Sequence, residues 1–278
     1  MVRMSREPNL AEMIDAFAKT FIAAHPDITD AHLAQKLVFN AGRLAWRIRE
    51  QGLEVDQKTS VSDVVTQADR AMEHFVATVL ENLRPDDGIV GEEGAARESK
   101  SGRQWVIDPV DGTYNFSSGS DYWCSALALT DAEGVILGAV HRPAMGYTWF
   151  GGRDHPTTLD GREVEKLAPA GPETLSLATY LHPSSIADED VRAAWQKVAG
   201  EFATVRMLGA GSVDLSSVAC GTWGAWMQHS VADWDWFPGK ALVEAAGGAA
   251  RKVTAGGVEW CIAGNPQVVD RMEELLHG

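Results

Sequence analysis

Apolar residues recurring at three- and four-residue steps dominate the first fifty positions. Residues 9–24 and 29–51 both carry such a stripe, in the second case Leu33, Leu37, Ala41, Leu44 and Ile48, and both predict amphipathic helices. Pro26 separates them and Gly52 supplies a stop after the second. A polar stretch from Asp56 to Ser62 leads into a short Val64–Val65 segment. From Asp69 to Leu83 the helical spacing returns, with Met72, Phe75, Val79 and Leu83 on one face and Pro85 as terminator. After residue 88 the texture changes to short apolar runs between turns. Ile89–Val90, Trp105–Ile107, Cys124–Leu129, Val135–Val140, Trp149–Gly152 and Leu159–Gly161 predict strands, with turns at Ala132–Gly134 and Asp160–Gly161. Beyond them, strand-like segments (Leu175–Tyr180, Ala203–Met207, Ala225–Met227, Glu259–Ala263) alternate with helical ones (Asp188–Ala199, Ser212–Cys220, Trp236–Ala246, Pro266–Leu276). That alternation predicts an α/β arrangement. A boundary is expected near residues 145–155, dividing an α+β part (1–150) from an α/β part (151–278).

Composition narrows the classes without choosing among them. The 278 residues are 45% apolar and 23% charged, which suits a globular chain with a sizeable core. A formal charge of −15 argues against general adhesion to nucleic acid or to an anionic membrane. Cys124, Cys220 and Cys261 are odd in number and far apart, so neither a disulfide framework nor a CxxC site is expected. No run of 18 apolar residues and no export signal is seen, and a cytoplasmic protein is expected.

The chemistry concentrates in three carboxylate sets. In WVIDPVDGTYNF, residues 105–116, an apolar strand runs into Asp108, Pro109 is expected to end its ladder, and Asp111 follows with Gly112–Thr113, which could open a helix. Two carboxylates at the end of a buried strand need compensation, and all-oxygen ligands favour a hard cation such as Mg²⁺. Asp108 and Asp111 would equally serve as an Asx-turn and a helix cap. Gly91–Glu92–Glu93–Gly94 follows another apolar run, and Asp235 sits between Trp234 and Trp236 just before a predicted helix. Three such sets at strand or helix ends favour the cation.

These residues carry a resemblance. GEE at 91–93, DPVDGTYNF at 108–116 and WD at 234–235 with EAAGG at 244–248 resemble the inositol monophosphatase family. Lys58, Asp63, Val65, Thr66 and Asp69 look like that family's K…D-x-V-T-x-x-D segment, and Arg206, Gly209, Ser212 and Asp214 like its R-x-x-G segment. The resemblance implies a layered α/β/α/β/α sandwich, a homodimer, and Mg²⁺-dependent, lithium-sensitive hydrolysis of a small polyol or sugar phosphate monoester. Inositol monophosphate is the first expected substrate and histidinol phosphate the second. A bisphosphate (a 3′-phosphoadenosine nucleotide or fructose 1,6-bisphosphate) and a catalytically weak binding or regulatory relative are the alternatives.

The resemblance also implies roles. Glu92, Asp108 and the Val110 carbonyl would hold one Mg²⁺, and Asp108, Asp111 and Asp235 a second. A third would be reached through Glu92 and Asp69. Thr113 and Asp69 would orient the attacking water, with Glu92 also catalytic, while Gly112 and Thr113 N–H groups cradle the phosphate. Glu93 would stand behind the ligands or be solvated, not a direct ligand, and Lys58 would either compensate the acidic cluster or be an exposed loop lysine. Asp235 and Gln228 would contact the rest of the substrate. Here the sequence departs from the family, which commonly carries an acidic residue at the position of Gln228. An amide exchanges hydrogen bonds without charge and suits a cationic substrate less well. Trp223, Trp226, Trp234 and Trp236 are expected either to pack internally or to form an aromatic wall beside the substrate. His141, His182 and His229 are expected to be surface or hydrogen-bonded residues, not ligands.

Overall fold

The computed structural model describes residues 9–278 apart from 53–54 and 61–62, with the backbone alone described for 55–60 and 63–65. Three helices come first: α1 (Leu10–Ala24), α2 (Asp30–Glu50) and, after the hairpin β1 (Val55–Ser60) and β2 (Asp63–Thr66), α3 (Gln67–Leu83). An eight-stranded sheet follows, from β3 (Gly88–Gly91), β4 (Ala96–Arg97), β5 (Gln104–Asp111), β6 (Cys124–Asp131), β7 (Gly134–Arg142), β8 (Tyr147–Gly152), β9 (His155–Leu159) and β10 (Arg162–Glu163), in the order β10-β9-β8-β7-β6-β5-β3-β4. The short helix α4 (Thr113–Ser117) lies between β5 and β6. The second half holds β11 (Ser176–Tyr180), α5 (Pro183–Ala187), α6 (Glu189–Ala199), β12 (Thr204–Arg206), α7 (Gly211–Ala219), β13 (Ala225–His229), α8 (Asp233–Ala245), β14 (Ala249–Ala255), β15 (Val258–Gly264) and α9 (Pro266–His277). Its sheet runs β12-β11-β13-β15-β14.

Side-chain alternation converts these elements into five layers. Ile107, Leu127, Leu129 and Ala139 on one face of the large sheet pack against Leu33, Leu37, Met72, Phe75 and Val79 of α2 and α3. The opposite face offers Cys124, Ala126, Val140 and Trp149 to α7 and α8 and, beyond them, to Ala178, Trp226, Cys261 and Ala263 of the small sheet. The far face of that sheet, with Leu177, Met227, Trp260 and Ile262, is covered by α6 and α9. The order is α/β/α/β/α, and burying both sheet faces explains why the central strands read as continuous apolar runs.

Three expectations need correction. The sheets change between Glu163 and Ser176, whereas residues 145–155 include β8, which is hydrogen-bonded in register to β7. Pro109 does not end its ladder, because Asp111 still pairs with Cys124. Asp235 lies inside the first turn of α8, not before the helix.

His141, in β7, is buried. Its Nδ1 lies 2.9 Å from Thr148 Oγ1, and Nε2 has no hydrogen-bond partner. Burial, chiefly, pushes its pKa down to about 4. The native state therefore holds a neutral ring where the unfolded chain is protonated below about pH 6.5. Stability is full above that pH and declines as pH falls towards 4. Relative to His141→Gln, the wild-type protein should lose on the order of 2–3 kcal/mol between pH 7 and pH 4. Urea unfolding at both pH values checks this; equal losses would contradict it.

Candidate active site

The central device is a bulge. Three residue steps on β5, from Asp108 to Asp111, span only two on β6, from Ala126 to Cys124. Residues three apart on a regular strand face opposite ways, and one extra residue reverses the phase. Asp108 and Asp111 are thereby turned into one site, where they meet Asp235 from α8. Carboxylate oxygens of the three lie within 4.8 Å of one another. Glu92 arrives along the neighbouring strand. Gly91 of β3 pairs in parallel with Ile107, and Glu92 N–H donates to the Ile107 carbonyl at 3.2 Å. Glu92, Asp111 and Asp235 line one cavity with Gly112, Thr113 and Gln228.

The environment of each carboxylate differs. Asp108 is buried; its Oδ1 accepts from Val110 N–H at 3.1 Å, and its Oδ2 has no hydrogen-bond partner. Burial, then the charges of Glu92, Asp111, Asp235 and Asp69, push it well above the usual carboxylate range. Asp111 is also raised by burial, but it accepts from Gly211 N–H at 3.1 Å and from Ser212 N–H, both in the first turn of α7. That helix has no side-chain cap of its own, so Asp111 caps it from another layer and benefits from the positive end of its dipole. The alternative reading as a helix cap thus holds for Asp111, although the helix is α7 and not the one that follows it. Asp108 has no such explanation. A buried oxygen without a partner, on a carboxylate grouped with those of Asp111 and Asp235, fits a hard divalent cation.

Asp69 stands behind this group. Thr66 caps α3, and its N–H donates to Asp69 Oδ2 at 2.9 Å in a reciprocal capping box. Burial, opposed by the Thr66 hydrogen bonds, raises its pKa to about 6. The other oxygen, Asp69 Oδ1, accepts from the Thr113 hydroxyl at 3.1 Å, and that hydroxyl is also 2.9 Å from the Val110 carbonyl. Both neighbours accept, so the hydroxyl proton is committed to them and its lone pairs face elsewhere. Gly112, with φ +89°, makes the turn into α4; a Cβ there would press on Ala210 and on the Gly209 carbonyl. Lys58 and Asp63 have no described side chains. Trp226 and Trp236 stack 5.7 Å apart in the core, so the cavity's aromatic residues are others, Tyr114 and Tyr180, with His182.

Two supporting residues escaped the sequence reading. Glu73 on α3 is buried and accepts from Glu93 N–H at 2.8 Å and Ala95 N–H at 2.7 Å, fixing the loop that presents Glu92. Gly91 makes room for it, since a Cβ there would strike the Glu73 carboxylate. Its one signal was a charge next to Met72 of the apolar stripe. Asn115 donates through Nδ2 to the carbonyls of Tyr122 (2.9 Å) and Leu208 (2.7 Å), joining α4 to the segment before α7.

Comparison with known proteins gives this arrangement its class. The profile of the inositol monophosphatase family matches residues 29–274, and the chain belongs to that family, which is metal-dependent. An inositol-1-monophosphatase of Rhizobium meliloti (strain 1021) is 31% identical over 254 residues, 86% of this chain and 92% of that protein. A histidinol-phosphatase of Mycobacterium tuberculosis is 35% identical over 161 residues, 56% and 59% of the two chains. The crystal structure of extragenic suppressor protein SuhB from Bartonella henselae matches with a TM-score of 0.80 at 25% identity, covering 88% of this chain and 97% of that one. The solved relative shares the sandwich; the two curated ones are named for different phosphate esters.

Replacing Glu73 by alanine leaves two loop N–H groups without their acceptor and slackens Glu92. A divalent cation should then bind about 10–100-fold more weakly, as for other residues that orient ligands from behind. Glu73→Gln, which keeps one carbonyl oxygen, should fall between. Calorimetric titration of the three proteins measures this; wild-type affinity in Glu73→Ala would contradict it.

Proposed function

We propose that the protein is a Mg²⁺-dependent phosphomonoesterase acting on a small polyol or sugar phosphate, with water as the nucleophile. The observation that carries this reading is Asp108: a buried carboxylate with an unpartnered oxygen at the meeting point of Asp111, Asp235 and Glu92. Asp108, Asp111 and Asp235 would hold one ion, and Glu92, Asp108 and the Val110 carbonyl another. Bound there, Mg²⁺ would supply charge to the phosphate oxygens and acidify water. The chain's own residues would do the rest. Asp69 accepts the Thr113 proton and turns the hydroxyl's lone pairs towards the water. Gly112 and Thr113 N–H groups receive phosphate oxygens, and Gln228 and Asp235 hydrogen-bond the alcohol. No protein nucleophile enters, since Cys124 is buried and pushed well above the usual thiol range by that burial.

The relatives named for inositol phosphate and histidinol phosphate support those two esters as first and second substrates. A bisphosphate has less support: among the described residues no Lys or Arg lines the cavity, so a second phosphate would meet no fixed cation. Presence of every carboxylate the chemistry needs weighs against a purely regulatory relative.

Phosphate release from inositol monophosphate or histidinol phosphate should require Mg²⁺ and stop with chelator. In Asp108→Asn it should fall at least about 10²-fold, the scale of losing a group that stabilises transition-state charge. Near-normal turnover in a folded Asp108→Asn protein would overturn the two-ion reading. Li⁺ at millimolar levels should slow wild-type turnover, and indifference to Li⁺ would contradict a close functional kinship with lithium-sensitive relatives.

A further inference from the structure

The cavity, of about 540 Å³, is lined by two unlike sets of residues. One is the carboxylate floor. The other is formed by Tyr114, Tyr180, His182, Pro183, Met207 and Leu208. Tyr114 and Met207 are 54% and 43% exposed, although both are large and predominantly apolar. Such residues gathered at one cleft mark a surface that something covers. The wall is also held in place. Asn115 grips the Leu208 carbonyl, and His182 caps α5, its Nδ1 accepting from Ser184 N–H at 3.2 Å. The Tyr180 and His182 rings lie 6.4 Å apart, tilted by 59°. Tyr180 and Gln228 are register partners on parallel strands, so both project from the same side of the sheet. The polar group nearest the tyrosine in the ladder is therefore an uncharged amide. An aromatic and aliphatic wall beside an uncharged hydrogen-bonding group suits a flat ring better than a second anionic group or a leaving group hydroxylated on every carbon.

We infer that this wall selects the leaving group: the site favours phosphomonoesters whose alcohol carries a flat unsaturated ring, aromatic or heteroaromatic, over plain polyol phosphates. The inference rests on the phosphomonoesterase reading and sharpens it, moving the balance from fully hydroxylated alcohols towards ring-bearing ones. The ring would lie against Tyr180 and Met207 while the ester phosphate sits over Asp111 and Thr113. Phosphate leaves with its P–O ester bond broken, water supplies the new oxygen, and the alkoxide takes a proton from water, as for any substrate of this chemistry.

The test compares 2-phenylethyl phosphate with glycerol 3-phosphate, both monoesters of primary alcohols, so that leaving-group reactivity is closely matched. With Mg²⁺, kcat/KM for the phenylethyl ester should be higher by at least about tenfold, the range in which apolar pockets discriminate. Met207→Gln, a change at an exposed position that keeps side-chain length, should lower that ratio at least about fivefold. The loss should appear in KM more than in kcat, because the wall binds ground state and transition state alike. Tyr180→Ala should lower the ratio in the same direction. Equal kcat/KM for the two esters, or a ratio untouched by both substitutions, would overturn the inference while leaving the phosphatase intact. Release from neither ester, nor from inositol or histidinol phosphate, would overturn the phosphatase reading and this inference with it.

Discussion

Asp108, Asp111 and Asp235 converge on one site with Glu92 close by, where burial opposes ionisation of Asp108 and Asp111 and the neighbouring charges oppose that of Asp108 further. That unfavourable electrostatics is the condition on which the other features depend. Three devices deliver the four carboxylates: a bulge aligns Asp108 with Asp111, a parallel strand brings Glu92, and a helix first turn brings Asp235. A cation held there would relieve that conflict, because buried like charges without a counter-charge cost several kcal/mol. An acidic chain of net charge −15 can consequently bind an anionic ester once ions reverse the sign of this one site.

The same constraint explains how the two sheets are joined. Asp111 belongs to the large sheet yet caps α7, which packs between the sheets. Tyr122, just before β6, donates to Asp214 of α7 at 2.5 Å, and Asn115 ties α4 to Leu208. Burial, with Asp111 close by, raises Asp214 to about 8, and the Tyr122 hydrogen bond opposes that rise. Asp111 of the carboxylate cluster, with Tyr122 and Asn115 beside it, thus links the layers. Any loosening of the layers would reach the carboxylate geometry directly.

Much of this was legible in the chain because period and burial coincide. Leu33, Leu37, Ala41 and Ile48 were placed on one helix face and are buried there, and Met72, Phe75 and Val79 likewise. The carboxylates were legible because GEE, DPVDGT and WD are short local motifs at element ends. What was not legible depends on partners distant in sequence. Nothing local to Glu73 says that it holds a loop twenty residues away, and nothing in Ala210–Gly211 says that an aspartate a hundred residues earlier caps the helix. β14 went unread because Arg251, Lys252 and Thr254 give an edge strand a polar texture. The sheet boundary was placed too early because β8 to β10 are short and rich in turn residues. Wall residues such as Tyr180 and Met207 look like ordinary strand and loop positions until the fold sets them opposite Asp111.

The most direct measurement is the thermal unfolding midpoint in chelator and in millimolar Mg²⁺ at pH 7.5, for wild type and Asp108→Asn. If cation binding resolves a buried charge conflict, Mg²⁺ raises the wild-type midpoint in a concentration-dependent way. In chelator, Asp108→Asn, with one charge fewer, then unfolds at a higher temperature than wild type and gains little from Mg²⁺. A wild-type midpoint indifferent to Mg²⁺, or an equal gain in Asp108→Asn, would contradict the central role given to the carboxylate cluster.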